Sequence, residues 1–277
     1  MKRLVAYLAD GINNRNEAEF LKKLLALFMI FKCAYWFYDI DMLFSENSIA
    51  YHNTVRPEWW KMPVFILYDV HSVFLAVTVL SVAILASLWI FRKGTHTRLL
   101  FFILWIIVSN INNRVFCTLT GGDLLFQHLL FFAAFLSGKG AEEGGVSNIV
   151  HNTGVLAIQL QMCVLYFMAG YTKIIDPDWI GGNAVADVFK IRDYNLPIFY
   201  DFGNYAITRF LNYMVMFYQL LFPVLVWIGK IRKGYLFLGM AQHLFIAFAF
   251  GLPSFGFIMV ISYSIFHCPS YFKKYVY

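Results

Sequence analysis

A lysine stands at the end of an apolar segment in the stretch YFMAGYTKIIDPDW, residues 166–179. The residues before Lys173 are apolar, whereas two acids, a proline and a tryptophan follow it within six residues. Ionisable groups inside membrane segments cost about 2.5–3.5 kcal/mol each by insertion scales, so they are default candidates for function. The amine has two interpretations: a reactive or substrate-binding nitrogen, or a side chain that snorkels to the lipid headgroups.

Other polar side chains also interrupt the apolar segments. Asp123 and Gln127 share a helix face through their spacing of four residues, and His128 follows them. His243 and Gln242 lie in the middle of a later segment. Acids, imidazoles and amines can exchange protons with a substrate, which is the chemistry that such a set would support. For His128 and His243, hydrogen-bonded packing is the alternative.

These residues are expected to meet at one polar site in the outer half of a helical bundle. The catalytic candidates are Lys173, His128, His243 and Asp123. The substrate-binding candidates are Asp69, His71, Arg114 and Trp179. Lys32 lies near the middle of its segment, and we expect it to pair with an acid rather than to act in catalysis.

Composition places the chain in a membrane. Sixty per cent of its 277 residues are apolar and 14% are charged, whereas soluble domains have about 45–50% and about 25%. Apolar runs of about 20 residues can cross the ~30 Å hydrocarbon layer as helices. The predicted fold is therefore all-α, a polytopic transmembrane helical bundle that forms one domain over residues 1–277, with no separate soluble domain.

The apolar runs give a predicted count of seven to eight spans. They cover residues 20–44, 63–91, 97–118, 122–137, 149–174, 204–228, 234–251 and 253–268, and the stretch GLPSF joins the last two by a tight turn. With eight spans, most Lys and Arg residues fall on the side of the N-terminus, as the positive-inside rule requires. We therefore expect a multi-pass protein of the cell inner (cytoplasmic) membrane with both termini in the cytoplasm.

Several functional classes lack their motifs. The four cysteines are far apart and form no CxxC pair, so no metal site or disulfide framework is predicted. Patterns of the GxGxxG, P-loop, HExxH and GxSxG types are absent, which leaves nucleotide chemistry and zinc proteolysis without support. Basic residues mark loops rather than a stripe, so the expected partner is the lipid bilayer and no nucleic acid.

The stretch YFMAGYTKIIDPDWIGGNAV resembles the signature of the horizontally transferred transmembrane (HTTM) domain, which vitamin K-dependent gamma-carboxylase shares. Further segments are similar to that family in the same order along the chain. They are LLALFMIFKCAYWFYDI, SNINNRVFCTLTGGDLLFQHLLF, YQLLFPVLVW and AQHLFIAFAFGLPSFGFIMV. A compact chain of this design also resembles the sporulation-delaying protein B family, which is linked to maturation of secreted peptide toxins.

The resemblance implies a role and a cofactor. Lys173 matches the lysine that is assigned as a base in vitamin K chemistry, which makes a reduced quinone the implied cofactor. Two departures argue against carboxylation itself. Gly122 and Asp123 stand where the carboxylase has an asparagine-histidine pair, and its large lumenal domain has no counterpart here.

Two functions follow from these observations. We expect an enzyme-like factor that uses Lys173 to modify or mature an exported peptide or a lipid-soluble substrate at the outer side of the membrane. The alternative is a non-catalytic membrane partner that binds a secreted peptide and presents it to a companion maturation protein.

Overall fold

All regular structure in the described part of the chain is helical, which confirms the all-α prediction. The structure is a computed structural model that describes residues 7–9, 11–46, 48, 63–67, 72–95, 97–138, 144–192, 195–200, 202–204 and 206–266. The helices are α1 (Arg15–Tyr38), α2 (Ile40–Phe44), α3 (Val73–Arg92), α4 (Thr97–Arg114), α5 (Gly121–Ala133), α6 (Gly145–Ile174), α7 (Pro177–Gly181), α8 (Ala184–Lys190), α9 (Ile207–Leu225), α10 (Gly229–Ala249) and α11 (Pro253–Ser262). Short 3₁₀ turns cover Phe116–Thr118, Pro197–Phe199, Phe202–Asn204 and Tyr263–Phe266.

Each of the eight predicted apolar segments contains one of the longer helices, but helix length supports fewer spans. Among the described residues, only α3 and α6 are both long and apolar enough to cross a membrane. The 13 residues of α5 rise about 20 Å, less than the hydrocarbon thickness. Polar or charged ends lower the hydropathy of helices such as α4 and α10. Seven to eight spans therefore stays a prediction.

The outer surface of α3 is apolar along its length. Phe74 is 82% exposed and Leu85 is 66% exposed, and Trp89 lies on the exposed surface near the other end of the helix. A contiguous apolar surface of this kind marks a contact with lipid or a partner. Together with its length and hydropathy, this surface makes α3 a candidate membrane-spanning helix.

The chain divides into two compact units, each described here by itself. The first contains Met1–Leu156 and Ser270–Tyr277, and the second contains Ala157–Pro269. In the first unit α1 packs along α3, and α4 packs against α3 and α5. Leu21, Leu25 and Met29 are fully buried on the inner face of α1. The single domain remains a prediction.

Asparagine and histidine side chains at the start of α6 hold the segment before α1. The backbone N–H of Asn13 donates to Asn152 Oδ1 over 2.8 Å, and Asn152 Nδ2 donates to the Gly11 carbonyl over 2.8 Å. His151 Nδ1 accepts from the backbone N–H of Ser137 at 2.9 Å. These bonds satisfy backbone groups that form no hydrogen bonds within a helix. They also hold the first turns of α6 in place within the first unit.

Glycines allow close helix contacts in the second unit. A Cβ at Gly170 would lie 2.8 Å from the backbone nitrogen of Leu220, so the glycine lets α6 approach α9. A Cβ at Gly256 would collide with the backbone carbonyl of His243, which brings α11 against α10. Between α10 and α11, Gly251 has a φ of 61° and Pro253 begins α11, so the predicted tight turn is confirmed.

The predicted orientation can be tested with single cysteines on a background in which the four native cysteines are replaced. Lys93 and Asp187 are exposed positions, whereas the neighbouring Gly94 is buried with a φ of 67° and is unsuitable. The charge bias predicts that an impermeant maleimide added to intact cells labels Asp187→Cys. Lys93→Cys should be labelled only after permeabilisation, and its labelling in intact cells would contradict cytoplasmic termini.

Candidate functional site

A cavity of about 470 Å³ lies in the second unit and is lined mainly by apolar side chains from α8 to α11. Its volume is in the range of sites that bind small organic molecules. Few polar groups interrupt the apolar wall. The polar and aromatic side chains that matter for chemistry are Lys173, Trp179, Gln219, Gln242 and His243.

Lys173 is half-buried at the end of α6, with its amine close to the cavity wall. Its Nζ donates to the Ala169 carbonyl over 3.2 Å and lies 4.6 Å from the centre of the Trp179 ring. No acid within the described residues forms an ion pair with it. A carbonyl and an aromatic face therefore hold the nitrogen, and the nearby Asp176 carboxylate does not reach ion-pair distance from it.

The residues after Lys173 form a short capped helix that carries the tryptophan. Asp176 caps α7 by accepting the backbone N–H of Asp178 at 2.9 Å, and Pro177 occupies the first helical position. Gly182 ends the helix with a φ of 79°, which an L-residue side chain disfavours. Within the motif, Asp176 is therefore the N-cap of α7, Pro177 is its first residue and Gly182 is its C-cap. Together these residues set the position of Trp179.

Side chains from α9 hold α7 through its backbone carbonyls. Asn212 Nδ2 donates to the Trp179 carbonyl over 2.8 Å, and the Tyr213 hydroxyl donates to the Ile180 carbonyl over 2.8 Å. Asn212 is fully buried. Sequence reasoning missed it, although an asparagine within an apolar helix could have signalled a structural contact.

Three polar residues of the cavity keep buried atoms without a hydrogen-bond partner in the described part of the chain. These atoms are Gln219 Oε1, Gln242 Oε1 and His243 Nδ1. An unsatisfied buried polar atom costs about 1–3 kcal/mol, so native proteins rarely leave several together. Their concentration along one apolar cavity favours a site for a ligand that carries its own polar groups.

Three tyrosines connect to His243 behind the cavity wall. The Tyr166 hydroxyl is hydrogen-bonded to His243 Nε2 at 2.6 Å and also to the Tyr263 hydroxyl, which lies 3.2 Å from the Tyr218 hydroxyl. A Cβ at Gly239 would collide with the Tyr218 and Tyr263 hydroxyls. The sequence analysis did not identify these tyrosines, because single tyrosines within apolar segments are usually interpreted as packing residues.

Asp123 and Lys32 form a buried ion pair in the first unit, as expected for Lys32. The Lys32 Nζ donates to Asp123 Oδ1 over 2.6 Å, and both side chains are almost fully buried. The other carboxylate oxygen accepts from the backbone N–H and hydroxyl of Thr120, each at 2.8 Å, and so caps α5. The Lys32 amine also lies 5.0 Å from the Trp36 ring. Both carboxylate oxygens therefore have structural partners.

Arg114, only 1% exposed, joins separate segments of the first unit. Its Nε donates to the Leu43 carbonyl over 3.0 Å, and one terminal nitrogen donates to the Leu67 carbonyl over 3.1 Å. The other terminal nitrogen reaches the Ser48 hydroxyl at 3.4 Å. The fork of the guanidinium thus satisfies carbonyls that no helix pairs.

Among the predicted site residues, His128 departs from the expectation that it faces an interior site. Gly121, Leu124 and His128 share the exposed face of α5 at spacings of three and four residues. The opposite face, which carries Asp123 and Leu125, is buried. Helical periodicity therefore directs His128 away from the core of its unit.

The structure brings together Lys173, Trp179 and His243 at the cavity of the second unit. Arg114 and Asp123 belong to the first unit. Asp69 and His71 lie outside the described residues. Convergence of the whole set on one site remains a prediction.

Comparison with protein families identifies the part of the chain that carries the cavity. Residues 147–271 match the HTTM domain. No curated protein and no solved structure matches the chain. The HTTM domain includes the entire second unit with Lys173 and His243, and together with the two apolar helices it indicates a membrane protein. The carboxylase-like and sporulation-delaying branches stay predictions.

The ion pair between Lys32 and Asp123 should stabilise the first unit mainly by avoiding an unpaired buried charge. Lys32→Met leaves the carboxylate without its cation, so we expect a loss of about 3–5 kcal/mol in unfolding free energy. The double variant Lys32→Met with Asp123→Asn removes the charge and keeps an oxygen for Thr120, so it should recover most of that loss. Denaturant unfolding of both variants in detergent measures this, and equal losses would contradict a charge effect.

Proposed function

We propose that this chain is a multi-pass protein of the inner membrane that binds a lipid-soluble substrate, or an apolar part of an exported peptide, in the cavity of its HTTM domain. Lys173 acts on that substrate at the outer side of the membrane. The observation that carries the proposal is the apolar cavity of about 470 Å³ in which an amine beyond ion-pair distance of the described acids and three unsatisfied polar atoms are concentrated.

The two protonation states of Lys173 support different chemistry. A neutral amine could take a proton from a hydroxyl or an activated carbon of the substrate. An ammonium could instead bind a carboxylate or an enolate oxygen and stabilise its charge. The contact with Trp179 and the Ala169 carbonyl holds the nitrogen in place for either role. His243 supplies a second polar group on the same cavity.

A reduced quinone, the cofactor implied by the family resemblance, fits the groups that line the cavity. Its ring would lie against apolar side chains, and its hydroxyls would donate to the amide oxygens of Gln219 and Gln242. When bound, such a molecule supplies acidic hydroxyl protons and two electrons. The chain's own residues would bind and orient it, with Lys173 and His243 as the groups able to hold a proton.

Substitutions of Lys173 separate proton chemistry from charge. Lys173→Met keeps the aliphatic stem, and Lys173→Arg keeps a positive charge that cannot act as a base near neutral pH. We expect both variants to accumulate normally and to lose at least about 100-fold in activity, the usual contribution of a general base. Activity is the mass change in secreted peptides or membrane extracts that depends on the wild-type protein, measured by mass spectrometry.

The other outcomes distinguish the alternatives. An active Arg variant with an inactive Met variant would assign Lys173 to binding an anionic group. Two active variants would make Lys173 an interface residue and contradict its role in the site. If the wild-type protein changes no mass but the secreted peptide still depends on it, the protein is a presenting partner rather than an enzyme.

Filling the cavity should block the substrate without altering the polar groups. Met214 lines the cavity from α9, whereas Leu221 lies on the exposed side of the same helix. Met214→Trp should lower the wild-type-dependent mass change by about tenfold or more, equivalent to about 1.4 kcal/mol. Leu221→Trp, the matched control, should leave it unchanged. Equal activity of the two variants at equal abundance would place the substrate elsewhere.

A further inference from the structure

The three tyrosines and His243 form one hydrogen-bonded chain with two different ends. Tyr218 bonds to Tyr263, Tyr263 to Tyr166, and Tyr166 to His243 Nε2. Each phenol carries a single proton, so each hydroxyl can donate only once. At one end, His243 Nδ1 has no hydrogen-bond partner in the part of the protein that the structure describes. At the other, the Tyr218 hydroxyl has no partner except Tyr263 among the described residues.

The ends determine the direction of donation along the chain. If Tyr218 donates to Tyr263, Tyr263 to Tyr166, and Tyr166 to Nε2, all three phenolic protons are used. If Nε2–H instead donates to Tyr166, one phenolic proton in the chain is left without an acceptor. Tyr166 and Tyr263 are fully buried, and Tyr218 is nearly so. In either direction one of the four protons, three phenolic and one of the imidazole, has no acceptor among the described residues. In the first direction it is the Nδ1–H, on a residue that lines the cavity, where a ligand or water oxygen can accept it. In the second it is a phenolic proton of a tyrosine that does not line the cavity, and leaving it buried without an acceptor would cost about 1–3 kcal/mol, which favours the first direction.

We infer that the tyrosine chain holds His243 as the neutral tautomer with its proton on Nδ1, so that this N–H is a hydrogen-bond donor for an acceptor oxygen of the cavity ligand. Tyr166 is the positioning residue, because it alone contacts Nε2 among the described residues. The assignment of the acceptor rests on the proposed function, in which the cavity binds a substrate. The tautomer itself rests on the hydrogen-bond chain and on the position of His243 at the cavity.

The donor at Nδ1 narrows the class of ligand. Lys173, as an ammonium, is also only a donor, and the Gln219 and Gln242 side chains each offer an amide N–H₂ as well as an oxygen. An apolar molecule matches this set if it carries an acceptor oxygen for the Nδ1–H and the ammonium, and a hydroxyl or N–H that donates to the Gln219 and Gln242 oxygens. A purely hydrocarbon ligand would leave the donors and acceptors of the cavity unsatisfied.

Nitrogen NMR of the protein with ¹⁵N-labelled histidine tests the tautomer without any ligand. The signals that disappear in a His243→Asn variant assign His243. We expect an Nδ1 shift of the protonated, pyrrole type and an Nε2 shift of the unprotonated, pyridine type near neutral pH. The reversed pattern, or two pyrrole-type shifts from an imidazolium, would overturn the inference.

Tyrosine variants test whether the chain causes the tautomer. Tyr166→Phe removes the donor to Nε2, so His243 should become a mixture of tautomers or change to Nε2–H. Tyr218→Phe is the matched control, because Tyr166 and Tyr263 still donate in the same direction and the tautomer should persist. An unchanged tautomer in a folded Tyr166→Phe variant would refute the positioning role.

A matched pair of probes tests the donor at Nδ1. 2-Acetylnaphthalene and 2-ethylnaphthalene have nearly the same shape, but only the first has a carbonyl oxygen. In equilibrium dialysis, the wild-type protein should bind 2-acetylnaphthalene several-fold more tightly than 2-ethylnaphthalene. A difference in affinity of this size is expected for one net hydrogen bond. His243→Asn places an N–H₂ near the Nδ1 position and should keep more of this preference than His243→Leu.

The outcomes of this binding test separate the inference from the proposed function. Equal affinity of the wild-type protein for both probes would overturn the donor role while leaving a ligand-binding cavity. Binding of neither probe would contradict the ligand-binding cavity and with it the donor role, and the NMR pattern alone would then decide the tautomer.

Discussion

Polar groups buried in an apolar helical protein have to be hydrogen-bonded, and this requirement organises both compact units. In the first unit Asp123 accepts from Lys32 and Thr120, and the Arg114 guanidinium donates to backbone carbonyls that no helical hydrogen bond uses. These contacts connect α5 to α1 and hold segments that lack regular hydrogen bonding of their own. Lys32, Asp123 and Arg114 therefore all have structural partners.

The second unit satisfies the same requirement in part, and most of the unpaired polar atoms among its described residues line the cavity. Asn212 pairs the carbonyl of Trp179, and Tyr166 pairs one nitrogen of His243. The amide oxygens of Gln219 and Gln242 have no such partner among the described residues. Three of the five unpaired buried side-chain atoms in the described part of this unit belong to residues that line the cavity, so the unsatisfied set is concentrated there.

Sequence patterns predicted the helical class, the helix positions and the turn before α11, because apolar runs, Gly251 and Pro253 act through local geometry. They also predicted that Lys32 would pair with an acid. They could not establish which residues meet across helices. His128 and Asp123 lie on opposite faces of α5, and which of these faces is buried depends on where α4 and α1 pack.

The site was predicted only in part for the same reason. Lys173 and His243 stand out as ionisable groups in apolar segments, whereas Tyr166, Tyr218 and Asn212 act through contacts between residues far apart in the chain. Nothing in the immediate sequence of the two tyrosines distinguishes them from packing residues, whereas Asn212 is a polar residue within an apolar helix. The number of spans likewise stays open. Polar residues occur at the ends of spanning and of non-spanning helices, so helix length and hydropathy do not separate the two kinds.

Gly239 restricts how the second unit can move. The two tyrosine hydroxyls occupy the space where its side chain would be. Sliding α10 along its axis by one turn would carry Tyr235 or His243 into that space, because residues four apart share a helix face, so the absence of a side chain at this one position fixes the register of the helix. Motions that open the cavity to a ligand should therefore arise in α7 and α8, whose short helices are held by a few side-chain bonds, and α10 should act as the fixed wall against which they move.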